Sequence, residues 1–306
     1  AKDGKFVFGS IDDHSQLRLD YNITLLPPKK FFLPQEEPIL EFQLGEAMRS
    51  QPVVEATPRV IMGVHPCDIN ANWLLDLAFS TDTLDTNYME KRKRAIVVGL
   101  DCNQPCDEHS FCKSMGGPTV AGGYDLFMTD IGDTYTLEYG SPAGMELLAM
   151  HKGTREATED DMSQFAAVQE AKRPKFTYRL EVPISDLPYL LAISYDNPLW
   201  EELGEKCLAC GACTLVCPTC YCFNVVDKLE LNLKDGQRLR LWDSCQLPEF
   251  ATVAGGENFR EARADRQRHR FFRKGKYLTE MFGKVGCVGC GRCVRACLVH
   301  LDPVEV

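Results

Sequence analysis

The chain has 306 residues, enough for roughly two domains at the usual ~100 to 200 residues each, and far more than a scaffold held together only by staples. Apolar residues make up 44% and charged residues 25%, while 23 glycines and 17 prolines are too few for disorder or a collagen-like repeat. A net charge of −10 argues against a nucleic-acid binder, no apolar run reaches the ~18 residues of a membrane helix, and the opening AKDGKFVFGS lacks a signal peptide's basic start and apolar core, so a cytoplasmic protein is expected.

In chain order, residues 25–38 (LLPPKKFFLPQEEP) read as extended, and residues 41–50 (EFQLGEAMRS) as a strand or turn entering a short helix. PRVIMGVHP is a β-branched run ending at Pro66, and the DINANWLLDLAF that follows carries Ile69, Trp73, Leu74 and Leu77 at helical spacing. Residues 93–101 (KRAIVVGLD) form a second strand, ending at Cys102 in a loop rich in Asp, Pro and Gly. Cys67 and Cys102 thus each follow a strand, where open α/β sheets gather their sites. YDLFMTDI and TYTLEYG read as further strands, MSQFAAVQEAKR as a helix, and residues 178–198 as a mixed segment.

Fifteen cysteines, an odd number in clustered spacing, suit metal binding better than a secreted disulfide framework. CLACGACTLVCP, from Cys207 to Pro218, has the C-x2-C-x2-C-x3-C-P spacing of bacterial ferredoxins, and CVGCGRCVRAC, from Cys287 to Cys297, repeats it with Leu298 in place of the second proline. In such a pair the fourth cysteine of each copy ligates the other cluster. One [4Fe-4S] cluster is therefore assigned to Cys207, Cys210, Cys213 and Cys297, and a second to Cys287, Cys290, Cys293 and Cys217. Gly211 and Gly291 are expected to let the backbone approach each cluster and to offer amides to its sulfurs. Zinc is the weaker reading, because four-cysteine zinc sites pair two C-x2-C units without the triple run.

About seventy residues separate the two copies. They hold Cys220, Cys222 and Cys245, read as packing or supporting thiols in preference to a further metal site. They also hold the basic run RQRHRFFRKGK, read as a solvated helix face in preference to a docking patch for an acidic partner. Cys67, Cys102, Cys106 and Cys112 make a further set of four, three of them within a short polar loop, and are read as a third cluster site in preference to zinc or unmetallated core thiols. His65 and His109 read as orienting neighbours and His300 as incidental. Neither a dinucleotide fingerprint nor a Walker A sequence is present, so no catalytic residue is assigned.

GVHPCD, VVGLDC with FCKSMGGP, GYDLFMTDI, CPTCYCFNVVD, WDSC, AGGENFR and CVGCGRCVRAC occur in this order. From about residue 58 onward the chain resembles the beta subunits of cytosolic sulfhydrogenases, a family similar to an iron–sulfur subunit of anaerobic sulfite reductase and to iron–sulfur subunits coupled to heterodisulfide reductases. Members often show C-F-C where this chain has Ser110, Phe111 and Cys112, with Cys106 upstream. The resemblance implies a conductor of single electrons, without a catalytic site of its own, between an FAD- and NAD(P)-binding subunit and a terminal module. That module would be a nickel–iron hydrogenase, a sulfite reductase or a heterodisulfide reductase. The rival readings are a flavin-binding reductase of a small substrate in the N-terminal domain and a zinc-bearing structural adaptor. The expected fold class is α+β: an N-terminal mixed α/β domain (1–197) with the third iron–sulfur site, then a ferredoxin-like two-cluster domain (198–306) with an insert at 221–286.

Overall fold

The computed structural model describes residues 5–306. Its strands are β1 (Glu36–Gln43), β2 (Arg49–Pro52), β3 (Arg59–Val64), β4 (Ala95–Leu100), β5 (Leu126–Asp130), β6 (Tyr135–Tyr139), β7 (Phe223–Leu229) and β8 (Asp235–Trp242). Its helices are α1 (Pro66–Ser80), α2 (Thr86–Lys93), α3 (Pro142–Met150), α4 (Glu159–Lys172), α5 (Leu187–Ile193), α6 (Leu199–Lys206), α7 (Ala212–Leu215), α8 (Arg263–Phe272), α9 (Leu278–Phe282) and α10 (Arg292–Ala296). Helices and sheets are mixed, as the α+β reading expects, and among the described residues no helix is long and apolar enough to cross a membrane.

One sheet has the order β3-β4-β5-β6, with β3, β4 and β5 parallel and β6 antiparallel at the edge. Its parallel strands read as near-continuous apolar runs because helices cover them. Val64, Val97, Ile69, Leu75 and Phe79 meet in one core cluster. Pro66 starts α1 at a position where its missing N–H costs nothing. Trp73, expected on the buried face of this helix, is exposed, with the Lys284 ammonium 3.6 Å from its ring centroid; Leu75 is fully buried in its place. The spacing allows either face, and the sheet selects the one carrying Ile69, Leu75 and Phe79.

The second sheet, β2-β1-β8-β7, is antiparallel and joins residues on both sides of position 198. The segment expected to enter a short helix after residue 41 instead continues β1 to Gln43, and the chain turns back through Gly45 into β2. Cross-strand pairing to β8, from Glu36↔Leu241 to Gln43↔Asp235, outweighs the local helical hint.

Glu37 ties this sheet to the first. Its buried carboxylate accepts from Lys91 of α2 at 2.6 Å and from Arg240 Nε of β8 at 2.8 Å. Arg240 also pairs with Asp85, the residue that caps α2. Removing one partner of such a network leaves buried charge uncompensated. Glu37→Gln is therefore expected to lower unfolding free energy by about 3 to 5 kcal/mol, measured by chemical denaturation, while Asp20→Asn in the external Arg18–Asp20 pair is expected to leave the denaturation midpoint nearly unchanged.

Candidate metal centres

The two ferredoxin-like segments fold alike. Cys207 closes α6, the chain loops through Cys210, and α7 carries Cys213; Cys287 leads through Cys290 into α10, which carries Cys293 and ends at Cys297. Gly211 (φ 75°) and Gly291 (φ 71°) sit in the left-handed region immediately before these short helices. The amides that reach sulfur, however, come two residues after the first cysteine of each copy. Ala209 N–H donates to Cys207 Sγ at 3.3 Å and Gly289 N–H to Cys287 Sγ at 3.4 Å, while Leu301 N–H reaches Cys297 Sγ at 3.3 Å. Ala209 and Gly289 are both left-handed, which turns their amides inward, and that conformation rather than the following glycine supplies the donors. Gly211 and Gly291 instead use their carbonyls to start the next helix.

Cys207, Cys210, Cys213 and Cys297 line one cavity, closed by Gln246, Gln267 and Arg270. Gln267 donates to Cys207 Sγ at 2.8 Å. Cys217 lies within electrostatic reach of Cys287, Cys290 and Cys293, whose thiols its charge pushes upward. The Cys220 thiol and Lys274 hold Cys217 itself well below the usual thiol range, with Lys274 Nζ 3.1 Å from its sulfur. The structure thus brings each interleaved set of four together.

The basic run differs from the sequence reading. Arg266, Gln267 and Arg270 of α8 are buried, and Lys274 continues the same face through the π-helical segment Arg273–Tyr277. Burial works against the charge on Arg270, yet the thiols of Cys213, Cys293, Cys220 and Cys217 hold the guanidinium charged. A run that looks solvent-seeking lies inward because the tertiary structure sets its cations against the cysteines, whose thiolate forms they favour. Burial pushes Cys213 up to about 12, Cys287 to about 11 and Cys290 to about 12, opposed respectively by Arg270, Lys274 and Arg292.

The N-terminal four also converge. Cys67 lies in the first turn of α1 beyond β3, Cys102 beyond β4, and Cys106 and Cys112 in the loop that follows. Cys106 acts electrostatically on Cys67, Cys102 and Cys112, and burial holds all four thiols high, Cys112 at about 12. The loop is fixed from three sides. Lys172 of α4 donates to both oxygens of buried Asp101 at 2.8 and 2.7 Å, Arg295 of α10 pairs with Asp107 and reaches Ser110 Oγ at 3.1 Å, and Phe111 N–H donates to Gly289 O at 2.9 Å. A Cβ on Gly289 would stand 2.6 Å from Cys112 Cα, and one on Gly291 would stand 2.5 Å from His109 O. The second ferredoxin-like loop therefore lies directly on the Cys106–Cys112 loop.

His65 is buried and stacked on Tyr21 with ring centroids 4.2 Å apart; desolvation brings its pKa down to about 4. His109 Nδ1 is 4.0 Å from Asp302, whereas exposed His300 stands in the turn after α10. Sequence reasoning missed Lys274, Arg270, Gln267, Arg292 and Arg295. Only Arg292 and Arg295 had a legible signal, their position inside the second cysteine motif.

The donor set fits iron–sulfur clusters: sets of four cysteines, amides aimed at sulfur, and buried cations beside the thiols. The 4Fe-4S dicluster domain family matches residues 206–301, which encloses both motifs and the insert between them. No solved structure matches the chain. Over 301 residues the chain is 35% identical to sulfhydrogenase 2 subunit beta of Pyrococcus furiosus, an alignment covering 98% of this chain and 87% of that protein. With near-complete coverage added to paired cysteine motifs on one dicluster domain, the chain belongs to the family of sulfhydrogenase beta subunits.

Proposed function

We propose that this iron–sulfur protein conducts single electrons, within a multi-subunit oxidoreductase, between a flavin subunit that handles NAD(P)H and a terminal redox module. Nickel–iron hydrogenase, sulfite reductase and heterodisulfide reductase are the candidate modules. Kinship with a sulfhydrogenase subunit supports the first. The observation that carries the reading is contiguity. Cys290 of the second set acts electrostatically on Cys67 of the N-terminal set, and Cys293 of the second acts on Cys213 of the first. Those two contacts support an order in which the second set lies between the first and the N-terminal four.

Cys207, Cys210, Cys213 and Cys297 would hold one [4Fe-4S] cluster, Cys287, Cys290, Cys293 and Cys217 a second, and Cys67, Cys102, Cys106 and Cys112 a third. Bound there, such clusters take up and release one electron at a time, at potentials set by charge, hydrogen bonds and solvent. The protein's own residues supply those conditions. Arg270, Lys274 and Arg292 favour the thiolate forms that ligation requires, against the burial that opposes them. Phe111, Val294 and Leu301, next to the cysteine loops in sequence, are buried. FAD, NAD(P) and the terminal catalyst would belong to partner subunits.

Iron and acid-labile sulfide on anaerobically purified protein test the third set. Cys102→Ser is expected to bind about four fewer iron and four fewer sulfide than the parent, and an unchanged count would return these cysteines to a structural role. Helices α7 and α10 have only four and five residues, too short to persist without their ligands. Chelating the iron is expected to raise hydrogen exchange across residues 206–301 while β3 to β5 stay protected. Equal protection with and without iron would mean that the domain folds without metal.

A further inference from the structure

A cavity of about 350 Å³ opens beside the second cysteine set, and its lining includes Cys220, Cys222, Cys245, His269, Arg270 and Lys274. The three thiols come from two segments drawn together at the end of the β7–β8 hairpin, where Phe223 pairs with Trp242 and Asp243 N–H donates to Cys222 O at 3.0 Å. Cys222 and Cys245 are in hydrogen-bond contact, and Cys220 touches Cys217. All three are free thiols. None belongs to the three sets of four described above.

Two cations, Arg270 and Lys274, line this cavity beside the three thiols. Among the described residues, Lys29, Arg270 and Lys274 have no carboxylate partner. Lys29 Nζ, buried, donates to Cys220 O at 2.6 Å, Arg270 reaches only Gln267 Oε1 at 3.4 Å, and Lys274 reaches Cys217 Sγ, Thr219 Oγ1 and Gly286 O. Two of these cations, Lys29 and Arg270, are at most 5% exposed. Cations so placed need a counter-charge, and the groups facing them are thiols. Arg270 and Lys274 already face Cys213 and Cys217, and thiolates at Cys220, Cys222 and Cys245 would meet the same cations. Among the described residues no three His, Cys, Asp or Glu side chains close tightly enough to hold a single metal ion.

We propose that Cys220, Cys222 and Cys245 are the three protein thiolates of a further [4Fe-4S] centre seated in this cavity, its fourth iron facing the cavity without a cysteine. His269 lines the same wall. The proposal extends the electron-conducting reading and depends on it only for the cluster chemistry. Its position beside Cys217 would set the new centre next to the second set, as a branch from the row.

The test uses the full chain, purified anaerobically without reconstitution. Cys222→Ser/Cys245→Ser is expected to carry about four fewer iron and four fewer sulfide than the parent, whatever the parent's total, and to keep the loss caused by Cys102→Ser as a separate, additive step. A second readout needs no mutation. A centre with three thiolates releases its fourth iron first, so mild oxidation of the parent is expected to produce the electron paramagnetic resonance signal of a three-iron cluster. That signal should be absent in the double variant. A folded double variant with the parental iron and sulfide overturns the proposal. So does stoichiometric zinc in place of the missing iron, and so does a parent that gives no three-iron signal. Should the double variant fail to fold, the parental signal alone decides. Failure of the third set would show only in the Cys102→Ser step.

Discussion

Arg292 and Asp68 lie 224 positions apart in sequence and meet as a bidentate pair, at 2.6 and 2.8 Å, with side chains 2% and 1% exposed. Asp68 follows Cys67 and Arg292 precedes Cys293, so one contact fixes the N-terminal thiols against the second ferredoxin-like loop. Desolvation of two charges is costly, and the geometry must offset it. It does so by completeness: the guanidinium also donates to Thr24 O at 2.8 Å, which leaves little of its capacity unused. Burial opposes the charge on Arg292, and Asp68 outweighs it. Everything between the two cysteine groups depends on this registration, including the approach of Gly289 to the backbone of Cys112, which tolerates no side chain.

The same charge logic explains why an acidic protein spends so many cations inside. Its sequence carries an excess of Asp and Glu, while inside the fold Arg270 and Lys274 face the cysteine thiols, Lys29 donates to the carbonyl of Cys220, and Arg292 pairs with Asp68 beside Cys67. A thiol desolvated without such neighbours stays protonated. Placing cations at the thiols lowers that barrier locally without altering net charge, and it ties the metal-binding capacity of each set to the folding of α8 and α10.

Much of this was legible in the sequence, for reasons that differ by residue. The cysteine spacings were readable because ligation imposes a local geometry on consecutive residues. β3, α1 and β4 were readable because burial imposes a period. Trp73 was misplaced because α1 is apolar on more than one face and only the sheet decides between them. The β1–β8 pairing was hidden because it joins residues about two hundred positions apart, and no local pattern encodes a partner at that distance. The basic run was misread because its charges match partners within the tertiary structure, and sequence shows charge without showing what faces it. Ala209 was missed as a sulfur donor because a left-handed alanine leaves no compositional trace.

The seventy residues between the two motifs are then better understood as wall than as spacer. In a compact two-cluster domain the ligand loops lie close in sequence and solvent bathes their outer faces. Here β8 leads to Gln246, and α8 brings Gln267 and Arg270, so the insert closes the cavity of the first set with donors aimed at sulfur. Glycine at 204 lets α6 approach α8 so nearly that a Cβ would lie 2.6 Å from Ala264 N, which brings Cys207 under that helix. Hydrogen bonds to sulfur and exclusion of solvent are two of the means by which a protein sets a cluster's potential with fixed ligands. An insert that supplies both changes the electronic environment of the clusters while leaving the cysteine motif intact. For that reason the insert bears on the properties of the site, and the cysteine motifs on its existence.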